Sequence, residues 1–236
     1  MDKQKVREKI WTEMEKRKIA TFPLPCYGRI PNFVGAEKAA LNLIKTEEWK
    51  NAEVIKINPD SPQRKVRELA LKEGKVLIIA TPRLRKGFIL LKNVKDVRKA
   101  STIKGAFRFG KLLKLHEIPK VDLIVEGSVA VTEYGARIGK GHGYGELEYA
   151  ILREMDLVNE KTPIATTVHE IQIVKDEIEL DPWDVPVDLI VTPKRIIRTY
   201  TKLKRPRGIL WEFIEENLLK EIPLLKELKN FLERSS

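Results

Sequence analysis

From Glu53 to Thr192 the chain alternates short runs of Val, Ile and Leu with segments whose apolar residues recur at helical spacing. That alternation limits the folds open to it. Glu53–Ile57 has the composition of a strand, Pro62–Glu73 reads as a helix, and Lys75–Ala80 is a buried apolar strand. Gly74 stands between them as a helix stop. Gly87–Leu91 predicts another strand and Val94–Ala100 a short helix. Val121–Val131 predicts a central strand, and Tyr144–Glu154 a helix carrying Leu147, Ala150, Ile151 and Leu152. Pro163–Val174 and Asp188–Thr192 supply further strands. Strands separated by helices imply an α/β fold: a three-layer arrangement in which helices cover both faces of a mostly parallel or mixed sheet.

The ends of the chain differ from this middle. Lys3–Lys18 predicts a helix with Val6, Ile10, Trp11 and Met14 on one face. Phe22–Phe33 holds Pro23, Pro25, Gly28 and Pro31, which predicts an irregular segment before a helix at Ala36–Ile44. Lys194–Arg207 contains seven basic residues and no acidic one. Leucines and aromatics from Leu210 to Leu232 then follow at helical spacing, interrupted by Pro223. This divides the chain into an α/β domain over 1–199 and a basic, helical appendage over 200–236. The appendage either packs on the domain or forms a dimer contact, so a monomer or a homodimer is expected.

The longest apolar runs are too short to cross a bilayer, and the charged N-terminus lacks a signal-peptide stretch. A cytoplasmic protein is the expectation. Cys26 is the only cysteine and His116, His142 and His169 the only histidines, which argues against a cysteine or zinc cluster. Lys and Arg number 45 against 34 Asp and Glu, a net charge of +11. Such a field attracts phosphate-bearing partners. Interspersed Lys and Glu are also the surface of a heat-tolerant protein rich in ion pairs, and composition does not separate the two.

Arg137-Ile138-Gly139-Lys140-Gly141-His142-Gly143-Tyr144 is the segment with the most chemistry. Every second residue from Gly139 to Gly143 is glycine, after a strand and immediately before a helix. Missing side chains let backbone N–H groups approach a polyphosphate, and the helix N-terminus adds partial positive charge. Arg137 and Lys140 can neutralise phosphate oxygens. The spacing is neither Walker A nor the Rossmann fingerprint. A glycine-rich turn with solvated charges is the alternative, and His142 alone is more often a polar loop residue than a catalyst.

The loop does not stand alone. An apolar strand (Val121–Val125) and a turn (Glu133–Gly135) precede it, Lys3-Gln4-Lys5-Val6-Arg7 opens the first helix, and Gln172, Asp184-Val185-Pro186-Val187-Asp188 and Thr192 follow in order. In these motifs, over residues 3 to 199, the chain resembles the 5-formyltetrahydrofolate cyclo-ligase family. Arg29–Phe33, Thr81–Arg85 and Gly127–Val131 are similar to its divergent branch of methenyltetrahydrofolate synthetase domain-containing proteins. The resemblance implies the NagB/RpiA-like cyclo-ligase fold. It also implies an enzyme that uses ATP and Mg²⁺ to convert 5-formyltetrahydrofolate to the 5,10-methenyl form. On this resemblance Lys3, Arg7, Arg137, Gly139, Lys140, Gly141, His142, Gly143 and Tyr144 would bind the ATP phosphates. Arg137 and Tyr144 would act at the reacting centre, and Glu146 and Asp184 would hold Mg²⁺, a hard cation suited to carboxylates.

Each assignment has a plainer alternative. Lys3 and Arg7 fit a solvated helix face, Glu146 a first-turn carboxylate favoured by the helix dipole, and Asp184 a turn before Pro186. The chain also departs from the family. Tyr-Tyr-Asp becomes Tyr144-Gly145-Glu146, only Asp60 is left to replace the acidic residue that contacts the pterin, and the Pro-Glu-Pro element is absent. The phosphate half of the site is expected to be retained and the folate half rebuilt. A non-catalytic nucleotide-binding homologue, and a nucleic-acid-binding protein using Arg83–Lys99 and Lys194–Arg207, are the competing functions.

Overall fold

A computed structural model describes all 236 residues. The chain opens with α1 (Lys3–Lys16), β1 (Ala20–Thr21), β2 (Asn32–Phe33), α2 (Ala36–Leu43) and α3 (Glu47–Lys50). The α/β body follows as β3 (Val54–Ile57), α4 (Arg64–Lys72), β4 (Val76–Ala80), β5 (Phe88–Leu91), α5 (Val97–Ala100), α6 (Ile103–Phe109) and β6 (Lys111–Leu112). It continues through β7 (Leu123–Glu126), β8 (Ala130–Thr132), β9 (Arg137–Ile138), α7 (Tyr144–Glu154), β10 (Ile164–Thr167), β11 (Ile173–Val174), β12 (Leu189–Val191) and β13 (Ile196–Arg198). Two helices, α8 (Glu216–Glu221) and α9 (Pro223–Ser235), end it.

The main sheet has eight strands in the order β13-β12-β10-β7-β3-β4-β5-β6. β12, β10, β7, β3 and β4 are mutually parallel, β13 and β5 run antiparallel to them, and β6 closes the far edge antiparallel to β5. The expected mixed α/β sheet is therefore present. Alternating side chains feed two separate cores, as the two-residue period of a strand requires. Leu77, Ile79, Leu123 and Val125 pack on one face with α2 and α4, while Ile78, Ala80 and Ile124 pack on the other with α7 and α9. A third core joins Val6, Ile10, Trp11 and Met14 of α1 to the small sheet β11-β8-β9.

The direction of winding places the ligand crevice. From β3 the chain moves one way to β4 and β5, then returns to lay β7, β10 and β12 on the other side of β3. Ligands in open α/β sheets bind outside the carboxyl ends of the strands at such a reversal, here β3 and β7. The expected strand Val121–Val131 is broken at this point. β7 ends at Glu126, the chain passes through Gly127 and Ser128, and β8 starts a second sheet. A side chain on Gly127 would meet Ile30 at 2.4 Å and Gln63 Oε1 at 2.6 Å, so only glycine allows the turn-off.

β13 lies inside the basic stretch after Lys194, which carried no expected strand. Three of the seven charges in that stretch are answered by acids within the protein. Arg195 pairs with Glu170 at 2.9 Å, Arg198 pairs with Glu48, and buried Arg205 pairs with Asp188. No helix is long and apolar enough to cross a membrane. Residues 200–236 share the core of the body: Ile222, Leu225 and Leu228 are fully buried in the cluster that holds Ile78, Ile124 and Ile151. Truncating such a side chain removes apolar burial and leaves a cavity. Leu225→Ala is expected to lower unfolding free energy by about 2–5 kcal/mol in urea titration, in a single transition.

Candidate functional site

Arg137 is the first side chain to account for, since it is 5 % exposed and charged. Nε and Nη2 donate to the Gly127 carbonyl at 3.0 and 2.7 Å, Nε also faces Glu126 at 3.2 Å, and Nη1 donates to Glu146 at 3.1 Å. Burial alone disfavours the guanidinium, but Glu126 and Glu146 outweigh it and raise its pKa. A guanidinium carries five N–H donors, so Arg137 keeps free donors on both Nη atoms. The side chain ties the end of β7, strand β9 and the first turn of α7 to one another, and the glycine loop between β9 and α7 inherits that anchorage.

Gly141 and Gly143 hold φ values of +103° and +75°, a region that L side chains rarely adopt. Gly143 is the residue before α7, and nothing lies within 4 Å of where its Cβ would stand. The cradle is open above it. Arg7, half-buried on α1, covers the other side: its Nε donates to the Gly139 carbonyl at 2.7 Å, and its guanidinium is 3.4 Å from the Cβ position of Gly141. One turn earlier, Lys3 Nζ contacts Asp181 at 2.6 Å and Asp184 at 2.5 Å. Burial works against the Lys3 ammonium, and the two carboxylates more than offset it, so its pKa is raised. Burial also raises the Asp184 carboxyl, against the pull of Lys3.

These elements enclose a pocket of about 520 Å³ lined by Lys3, Arg7, Arg137, Gly139, Gly141, His142, Gly143, Glu146 and Asp184. The structure thus gathers Lys3 and Arg7, and Asp184 from some 180 residues further along the chain, around one loop. Lys140 points to the other side, 3.8 Å from Asp60. There a second pocket of about 340 Å³ lies at the ends of β3 and β4, lined by Asn58, Asp60, Thr81, Arg83, Lys140, Tyr144 and Glu148 among others. The glycine loop is the wall between the two.

The loop shape and charge set suit a magnesium-bound polyphosphate, with open backbone at Gly143 and cations at Lys3, Arg7 and Arg137. Glu146 and Asp184 line the same pocket, each already paired to a cation. No third His, Cys, Asp or Glu joins them in a metal-sized cluster, so a magnesium ion there would take its remaining ligands from phosphate and water.

Sequence reasoning missed the floor of the second pocket. Lys56 sits in the middle strand of the sheet at 1 % exposure and pairs with Glu148 of α7. Its Nζ also donates to Asn58 Oδ1 at 3.0 Å. Burial pushes the Glu148 carboxyl up, and Lys56 pulls it back down. Glu126, Lys56 and Glu148 were visible as charges at positions whose periodicity assigns them to the core. Arg67, equally enclosed, donates to the carbonyls of Asn58, Asp60 and Ser101 at 2.6, 2.8 and 2.8 Å, and so shapes the loop after β3.

An α/β protein with a phosphate-type loop beside the reversal of its sheet is the class these features define. The chain belongs to the 5-formyltetrahydrofolate cyclo-ligase family, whose model matches residues 1–193. It is 43 % identical to the methenyltetrahydrofolate synthase domain-containing protein of Mus musculus, across 97 % of this chain and 63 % of that one. It thus spans under two thirds of the length of that relative. The 5-formyltetrahydrofolate cyclo-ligase of Escherichia coli is 27 % identical over 94 residues, 36 % of this chain and 48 % of that one. The fold matches the NMR structure of Aquifex aeolicus 5,10-methenyltetrahydrofolate synthetase with a TM-score of 0.53 at 21 % identity, covering 86 % of this chain and 95 % of that one.

Removing one partner of a buried ion pair strands the other charge. Glu148→Ala is expected to cost about 3–5 kcal/mol of stability in denaturant titration, and Lys56→Met combined with Glu148→Leu to recover most of it.

Proposed function

We propose that this protein is an ATP- and Mg²⁺-dependent cyclo-ligase-type enzyme that converts 5-formyltetrahydrofolate, or a related formyl-pterin, to its 5,10-methenyl form. The observation that carries the reading is the convergence of Lys3, Arg7 and Arg137 on the open glycine loop, in a chain of the cyclo-ligase family. ATP, when bound with Mg²⁺, supplies the phosphoryl group that makes the formyl oxygen a leaving group for ring closure by the neighbouring nitrogen. Such chemistry needs positioning and charge neutralisation more than an acid or a nucleophile. Lys3, Arg7 and the amides of Gly139 to Gly143 would hold the phosphates, and Glu146 and Asp184 would hold the metal, while Lys140, on the far side of the loop, would face the second pocket. Arg137 would keep the loop in place while turning its free Nη donors to the transferring group. Tyr144 lines the second pocket at the junction with the first, where nucleotide and pterin would meet.

A second reading, a nucleotide binder without turnover, draws on the second pocket. Its lining includes Glu148, held from beneath by buried Lys56, and Tyr144 is followed by Gly145 where the family has a second aromatic.

Two measurements test the proposal. Formation of the methenyl chromophore from 5-formyltetrahydrofolate, ATP and Mg²⁺ is expected; ATP binding with no chromophore would instead establish the second reading. Lys3→Ala is expected to weaken ATP binding about tenfold or more by calorimetry, since a charged hydrogen bond contributes about 1.5–3 kcal/mol.

A further inference from the structure

A third cavity opens beside the glycine loop, between α7 and the segment that follows β13. It holds about 200 Å³ and is bounded by Tyr144, Leu147, Trp183, Ile209, Leu210 and Phe213. Its lining is mostly apolar, and the only ionisable groups apart from Tyr144 are His142 and Glu146, the latter already paired with Arg137. Trp183 and Phe213 meet edge to face with ring centroids 5.0 Å apart, yet stay 37 % and 54 % exposed. Two large aromatics held together and left uncovered form a surface on which a planar ring can stack. Ile209, Leu210 and Phe213 lie beyond residue 193, where the match to the family model ends.

Three observations select the occupant. At about 200 Å³ the cavity is smaller than the roughly 300–1,000 Å³ of pockets that enclose a whole drug-sized ligand, and it suits one ring system. With almost no free charge it does not suit a phosphate or a carboxylate tail. Its mouth is continuous with the cationic pocket, because Trp183, His142, Gly143 and Glu146 line both. A ring seated here therefore belongs to the molecule whose phosphates lie on the loop. The second pocket, with Asp60 and Glu148, is on the far side of the loop and is left for the formyl-bearing substrate.

We infer that Trp183, Phe213 and Tyr144 form the subsite for the heteroaromatic base of the nucleotide, built in part by the C-terminal segment. This rests on the phosphate-loop reading above, and the two are separable by using inorganic tripolyphosphate as a probe that lacks the base. Stacking of a base on an aromatic side chain is worth about a tenfold change in affinity or more. Calorimetry with Mg²⁺ is expected to show that Phe213→Ala weakens ATP binding at least tenfold and leaves tripolyphosphate binding unchanged. Phe213→Tyr, which keeps the ring, is expected to bind ATP as the parent protein does, and serves as the variant that must fold. Equal weakening of ATP and tripolyphosphate, no change in either, or a loss confined to 5-formyltetrahydrofolate would each overturn the base subsite. Failure of the unaltered protein to bind tripolyphosphate or ATP would overturn the phosphate-loop reading itself, and this subsite with it.

Discussion

Arg137 brings a full positive charge to a place almost closed to water, and the surrounding structure is arranged to answer it. Glu126 arrives from the end of a central parallel strand, the Gly127 carbonyl from the turn that leaves the sheet, and Glu146 from the first turn of the next helix. An unpaired guanidinium in this position would be untenable, so these three contacts hold strand, turn and helix at one mutual spacing. The glycine loop runs between two of the anchored elements. Its open backbone needs that support, because its own glycines contribute no packing. The neighbouring Lys56–Glu148 pair applies the same constraint one layer deeper, locking α7 against the strand that starts the reversal of the sheet.

The charges of the site are arranged as mutual partners. Lys3 rests on Asp181 and Asp184, Arg137 on Glu146, and Lys140 near Asp60. Lys3, Arg137 and Lys140 each lie beside a carboxylate, which limits the repulsion that several positive groups would create, while Arg7 rests on the Gly139 carbonyl and the Gln4 amide oxygen. The same economy governs the basic C-terminal stretch. Arg195, Arg198 and Arg205 are matched to acids on other elements, so a run of charge that reads as a polyanion surface is, for these three, a set of fastenings for an edge strand.

Much of the fold and part of the site are legible in residue order. The alternation of β-branched runs with helical periodicity specifies an α/β sheet, since a parallel strand is apolar on both faces and a surface helix on one stripe. The placement of three glycines before a helix specifies a loop that a phosphate could approach, because only missing side chains open the backbone. Breaks were harder to see. Val121–Val131 is rich in Val, Ile and Leu on both sides of Gly127, so the departure to a second sheet carries no signal beyond the short Glu126-Gly127-Ser128 interruption. β13 was hidden because it is only three residues long, Ile196–Arg198, and lies at the sheet edge within a run of basic residues.

Local pattern therefore determined which elements form, that one loop could receive phosphate, and, through motif order, the family. Tertiary structure alone decided which residues meet. Lys3, Arg7, Asp184 and the loop come together because α1 packs on the small sheet, an arrangement with no local trace in the chain. The Lys56–Glu148 pair and the aromatic cavity of Trp183 and Phe213 likewise join residues 92 and 30 positions apart. Electrostatics and stacking act over a few ångströms of space whatever the separation along the chain, so the chemistry of the site is set by packing.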